Sequence, residues 1–167
     1  LPGAAPGRDE VAAFLDDLAS VECARGRHAA QALSNELGKL LWQHAGIVRD
    51  GKEFAAGLEA LAALREQAAD LDIEGAPERG VEFAYNLRFM LPVAEAVLRG
   101  ALLREESRGA HYRKDFPEEQ DAWRKTILYR RVADGALQLE TAAVGEVSAD
   151  VERALQEEHG LAYHHLE

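Results

Sequence analysis

Between Ala101 and Trp123 the sequence reads "ALLREESRGAHYRKDFPEEQDAW". Arg104, Glu105, Glu106, Arg108, His111, Arg113, Lys114 and Asp115 fall within twelve positions of it, with Gly109 and Pro117 as punctuation. Three kinds of chemistry fit these residue types. They could form a solvated, salt-bridged helix end, the usual fate of a charge run. They could form a catalytic constellation, with His111 as acid/base and Arg108 or Arg113 holding a carboxylate. Or they could make a buried polar joint, in which arginine forks pair with carboxylates and carbonyls of another domain. Gly109 is expected to end the preceding helix, and the residue before Pro117 is pushed out of helical conformation. Residues 110–116 should then be extended, with His111, Arg113 and Asp115 on one side and Tyr112, Lys114 and Phe116 on the other. Such a row, fixed to a long helix, suits holding a partner surface.

Other chemistry finds less support. His28, His44, His111, His159, His164 and His165 are scattered, without the spacing of a metal-ligand set. Cys23 is the single cysteine, so no internal disulfide or cysteine-based cluster can form; a lone cysteine reads as a small packed residue. Ser107 has no nucleophile elbow around it. Gly109 follows a helix instead of opening one, which is the wrong end for phosphate.

The elements that must position the charged run are mostly helices. A first is expected over 8–20, with Asp9 and Glu10 in its first turn and Val11, Phe14, Leu15 and Leu18 as its apolar stripe. A second spans 27–44, with Ala30, Leu33, Leu37, Leu40 and Leu41 on one face and Gly46 as a left-handed cap. A third carries Phe54, Leu58, Leu61, Leu64, Ala68 and Leu71 in steps of three and four. A fourth runs over 81–106 with Ala84, Leu87, Leu91, Ala94, Leu98 and Leu102 inward and Pro92 inside it, where it is expected to kink the helix. Beyond Pro117 the pattern changes. "TILYRRV" and "ALQLETAAV" flank Asp134-Gly135, a hairpin signal, and "SADVERALQEEHG" reads as a short helix capped by Ser148 or Asp150. The fold class is therefore mainly α: an antiparallel, spectrin-like bundle of three to four helices with a small β-hairpin appendage and a short C-terminal helix. The domain reading is a Pro/Gly-rich linker over 1–7, the bundle and its charged loop over 8–117, and the hairpin and tail over 118–167.

Composition narrows the partners. Thirty acidic residues against 19 basic give a net charge of −11, which disfavours nucleic acid and anionic membrane surfaces. No apolar run approaches the roughly 20 residues of a membrane span, so no direct membrane insertion is expected, and no signal peptide is visible.

The run from Arg104 to Pro117, "REESRGAHYRKDFP", resembles the C-terminal signature of the flavoprotein subunit of succinate dehydrogenase and fumarate reductase, of which L-aspartate oxidase is a more distant relative. "HAGIVRDGKEFAAGLEALAALRE" (44–66) and "NLRFMLPVAEAVLRGALLREESRG" (86–109) resemble earlier segments of the same family, and Asp121, Trp123 and Lys125 fit a later one. The resemblance implies a parent enzyme with FAD in an N-terminal domain, a capping domain over a dicarboxylate, and electrons passing to an iron–sulfur subunit. It implies a cytoplasmic location, peripheral at the inner face of the cell membrane through partner subunits. No family catalytic, cofactor-binding or metal-binding residue maps onto a position here, so this chain is expected to hold no cofactor and to be inert alone. Arg104, Glu106, Ser107, Arg108, His111, Arg113, Asp115 and Trp123 are the expected interdomain and interface residues. Their expected partners are the flavin domain, the capping domain and the iron–sulfur subunit. In the chain alone these charges should lie unusually exposed. The alternatives are a free-standing helical interaction module and the C-terminal domain of an L-aspartate oxidase.

Overall fold

The structure is a computed structural model, and it describes residues 7–73, 77–132 and 136–156. The linker reading at 1–6, the Asp134-Gly135 turn and the C-terminal histidines lie outside the described residues.

Three helices make the bundle: α2 (Ala30–Ala45), α3 (Gly51–Ala68) and α4 (Pro77–Leu103). Their apolar steps converge on one core of Leu33, Leu37, Leu40, Phe54, Leu61, Leu64, Leu87, Leu91, Ala94 and Leu98. Burying each large side chain is worth about 1.5–3 kcal/mol, so the periodic stripes of the sequence supply the main driving force for the bundle. Asp50 starts α3, its carboxylate accepting the amides of Lys52 and Glu53 at 2.8 and 3.0 Å. The helix α4 runs on through Pro92.

The remaining helix of the N-terminal part, α1 (Arg8–Glu22), lies beside α4 instead of inside the bundle. Its stripe does not form core as expected: Val11, Phe14 and Leu15 are exposed, and only Val21 is buried, with Ala30, Ile73 and Ala84. Its attachment is lateral, through an edge-on contact of Phe14 with Tyr85 and an Asp17–Arg88 ion pair at 2.5 Å.

Two parallel strand pairs of two residues each clasp the bundle's ends. The strand β1 (His28–Ala29), entering α2, pairs with β3 (Leu71–Asp72), leaving α3. The strand β2 (Val48–Arg49), leaving α2, pairs with β4 (Tyr112–Arg113), which follows α4. Gly46 does end α2, but with φ −65° and ψ −150°, not in the left-handed region.

After a single 3₁₀ turn (Asp121–Trp123), β5 (Lys125–Arg131) and β6 (Leu137–Ala143) form an antiparallel hairpin in the expected place. It is seated on α4. Arg99 donates to the carbonyl of Leu137 at 2.6 Å. Gly100 leaves room for the Tyr129 ring: a Cβ there would stand 1.7 Å from the phenol oxygen. A final helix, α5 (Ala149–Gln156), starts on Ser148, whose carbonyl accepts the Glu152 amide at 2.9 Å. Among the described residues no helix is long and apolar enough to cross a membrane.

Candidate functional site: the charged joint at the end of α4

The helix α4 ends at Leu103, three residues earlier than its apolar pattern suggests. Gly109 does not cap it. It sits at φ +57° in the two-residue turn between Arg108 and His111, whose amides and carbonyls exchange hydrogen bonds at 2.9 and 3.0 Å. Glycine is the residue that adopts this conformation without strain. The turn folds residues 104–116 back over the helix end, and all eight expected site residues come together there.

Two knots hold the joint. In the first, Glu106 is wholly buried. Its carboxylate accepts from Arg104, from Nε and Nη2 of Arg108 at 3.0 and 2.9 Å, and from the backbone amide of Gln120 at 2.9 Å. Hydrogen bonding from Arg108 outweighs burial and holds its pKa at about 2. Arg104 continues to the carbonyls of Trp123 and Lys125 at 2.9 and 2.6 Å, with its guanidinium over the Trp123 ring. Arg108 reaches Glu119 at 3.0 Å and remains 35% exposed.

In the second knot Arg113, only 2% exposed, closes the C-terminal end of α4. Its Nη1 donates to the carbonyls of Ala101, Leu102 and Arg104 at 3.2, 2.9 and 2.9 Å. Nε and Nη2 grip both oxygens of Asp115 at 3.0 and 2.6 Å. The guanidinium lies over the rings of Phe54 and Phe116, 5.6 and 4.7 Å from their centres. A cation at a helix C-terminus also opposes the helix dipole. Arg113 in turn keeps Asp115 ionised down to about 2, with the Gly51 amide assisting at 2.9 Å. Ser107 ties the knots together: its hydroxyl accepts the Arg113 amide at 2.8 Å and donates to the Phe116 carbonyl at 2.8 Å.

His111 stacks on Phe54 with a 9° interplanar angle. Its Nδ1 accepts from Arg49 at 3.1 Å, which leaves the proton on Nε2, facing the carbonyl of Arg104 at 3.4 Å. Burial and the neighbouring arginines push its pKa down. Both ring nitrogens are therefore engaged within the joint.

Two expectations need correcting. The row over 110–116 is not one extended strand: only Tyr112–Arg113 pairs, and the chain then turns so that Phe116 folds onto Arg113. Nor do the charges lie unusually exposed, because the carboxylates, carbonyls and rings that Arg113 and Glu106 need are supplied within this chain. Arg49, Phe54, Phe116 and Gln120 complete the joint and were not singled out for it. Arg49 stands in the 44–66 segment on which the resemblance rests, but nothing local in the sequence links it to His111. Among the described residues, no three His, Cys, Asp or Glu side chains converge as a metal set.

A cavity of about 270 Å³ opens beside the joint, lined by Arg104, Arg108, His111, Trp123, Arg124, Lys125 and Val144.

Fold and joint together define a three-helix bundle closed by an arginine-carboxylate lock, with a hairpin laid along its last helix. The chain belongs to the family described as "Fumarate reductase flavoprotein C-term", whose model matches residues 34–156. It is 38% identical over 104 residues to a fumarate reductase (CoM/CoB) subunit of Methanothermobacter marburgensis, covering 59% of this chain and 18% of that protein. It is 34% identical over 96 residues to the L-aspartate oxidase of Pyrococcus furiosus, covering 58% of this chain and 16% of the relative. Among solved structures, the Mycobacterium smegmatis Sdh1 complex superimposes with a TM-score of 0.68 at 31% identity, over 83% of this chain and 25% of that one. The chain thus spans under a quarter of the length of each of these curated relatives.

Proposed function

We propose that this chain serves as the C-terminal helical domain of an FAD-dependent flavoprotein subunit that interconverts succinate and fumarate. In this reading FAD and substrate are held by an upstream flavin domain and a capping domain, and electrons leave through an iron–sulfur subunit. The enzyme is cytoplasmic and sits at the inner face of the membrane through its other subunits. The 8–117 bundle and the 118–167 hairpin and tail act as one structural unit, and 1–7 is the linker to the flavin domain.

The observation that carries the reading is the state of the charged joint. Its arginines, carboxylates and histidine, the groups that resemble an active site in the sequence, are spent on each other. That supports a role in holding shape for assembly, with the chemistry done elsewhere. The partly exposed edge of the joint (Arg108, Asp115 and Trp123) then borders the neighbouring domain or subunit, while Glu106, Ser107 and Arg113 fix it from inside.

The test compares the 167-residue chain with the full-length gene product. The full-length protein should carry stoichiometric flavin and reduce a dye with succinate as donor, while the 167-residue chain should be colourless and bind neither FAD nor succinate. Tight stoichiometric FAD binding by the short chain, or a flavin-free gene product, would refute the proposal. An aspartate-dependent, succinate-independent reduction would place it among the L-aspartate oxidases instead.

A further inference from the structure

On a chain of net charge −11, the cavity of about 270 Å³ beside the joint is lined by Arg104, Arg108, Arg124 and Lys125 and by no carboxylate. Trp123 and Val144 make its apolar side. Arg104 is not a solvated surface charge, its side chain being 16% exposed. Its bonds to Glu106 and to the carbonyls of Trp123 and Lys125 use three of the five N–H groups of a guanidinium. Arg124 and Lys125 have no carboxylate partner among the described residues. The same bonds from Arg104 to residues 123 and 125 hold this stretch against the joint, so the cations are assembled before any anion arrives. Preorganisation of this kind lowers the cost of binding.

Charge limits what fits there. Glu106 pairs with Arg104 and Arg108, and Glu119 with Arg108. Asp121 also lies near enough for its charge to act on Arg108. Four cations against three carboxylates leave one positive charge, which a singly charged group matches and a phosphate dianion exceeds. Arginine forks suit the planar carboxylate, and the Trp123–Val144 side can cover a short hydrocarbon stem.

We infer that this cavity binds a single carboxylate on a short apolar stem, held by Arg104, Arg124 and Lys125. The same chemistry has two sources: a free organic acid, or an Asp or Glu side chain from a part of the full-length protein outside the 167 residues. Binding of this kind needs no flavin, so it is tested apart from the function proposed above.

Trp42→Phe leaves Trp123, at the cavity wall, as the one tryptophan of the chain. In that chain sodium butyrate should change the Trp123 fluorescence saturably, where sodium chloride at equal ionic strength does not, and inorganic phosphate should bind more weakly. Arg124→Gln combined with Lys125→Gln should weaken butyrate binding several-fold while the unfolding midpoint holds. The full-length protein separates the sources. Labelled butyrate retained in dialysis only while Arg124 and Lys125 are intact assigns the site to a free acid. A carbodiimide cross-link from Lys125 to an Asp or Glu outside the 167 residues, with butyrate excluded, assigns it to a side chain. Neither retention nor cross-link in the full-length protein overturns the inference. So does a short chain whose response to butyrate is absent, is matched by chloride or phosphate, or is indifferent to the double substitution.

Discussion

Arg108 holds both oxygens of a carboxylate only two residues behind it: its Nε and Nη2 lie 3.0 and 2.9 Å from Oε1 and Oε2 of Glu106. Residues two apart in extended backbone share a face, so the pair is local, and the Gly109 turn follows directly after it.

Removing the carboxylate takes a shared, buried partner from Arg104 and Arg108. Glu106→Gln should destabilise the chain by about 3–5 kcal/mol, the usual consequence of breaking a buried ion pair from one side. Urea unfolding of the 167-residue chain checks it, as a drop in midpoint at constant slope. Arg108→Ala should cost clearly less, since Arg104 still serves Glu106 and Arg108 faces water on one side.

Arg113→Lys keeps the charge at the end of α4 but loses the planar fork that reaches Asp115 and three carbonyls at once. It should recover less than half of the roughly 3–5 kcal/mol lost in Arg113→Ala. Comparing the two midpoints decides; full recovery by lysine would mean that charge alone matters there.

Acid should loosen the joint in two stages. The pKa of His111 is lowered in the fold, so the unfolded chain takes up the proton first, near the ordinary histidine value of about 6.5. Stability from this group is fully present above that pH and falls as pH drops through it. Glu106 and Asp115 are held at about 2 in the fold, so their contribution is present above their ordinary carboxylate range and is lost as pH falls towards 2. Urea midpoints from pH 8 to 3 should show both declines, and His111→Gln should remove only the upper one.

Gly100→Ala sets two effects against each other. Helix propensity alone favours alanine by about 1 kcal/mol, but its methyl would occupy the space of the Tyr129 phenol. Net destabilisation is expected, with faster amide exchange confined to Lys125–Arg131 and Leu137–Ala143. Tyr129→Leu in the same chain should restore the hairpin's protection.

The bundle was largely legible in the sequence because its core obeys helical spacing: Phe54, Leu61 and Leu64 in α3 and Leu87, Leu91 and Leu98 in α4 are buried as their periodicity predicts. Periodicity misled at α1, where Phe14 and Leu15 form a stripe that stays exposed because the helix meets α4 through Phe14–Tyr85 and Asp17–Arg88 along its length and buries Val21 alone. The joint's location was legible too, from charge density and punctuation. Its internal closure was not, because the partners that close it, Arg49 and Phe54, precede His111 by more than fifty positions and meet it only through the fold. Nothing in "RGAHYRKDF" says whether its arginines will find carbonyls at home or in another domain.

The pairing of β2 with β4 has a consequence for the order of folding. It joins segments such as Arg49 and His111, which are 62 residues apart, whereas the helices and the β5–β6 hairpin are assembled from near neighbours. Local contacts form early, and closure of a long loop waits until intervening elements have shortened it. The clasp is therefore expected to close later than the hairpin, and a chain halted before Tyr112 should keep α2, α3 and α4 with lower stability.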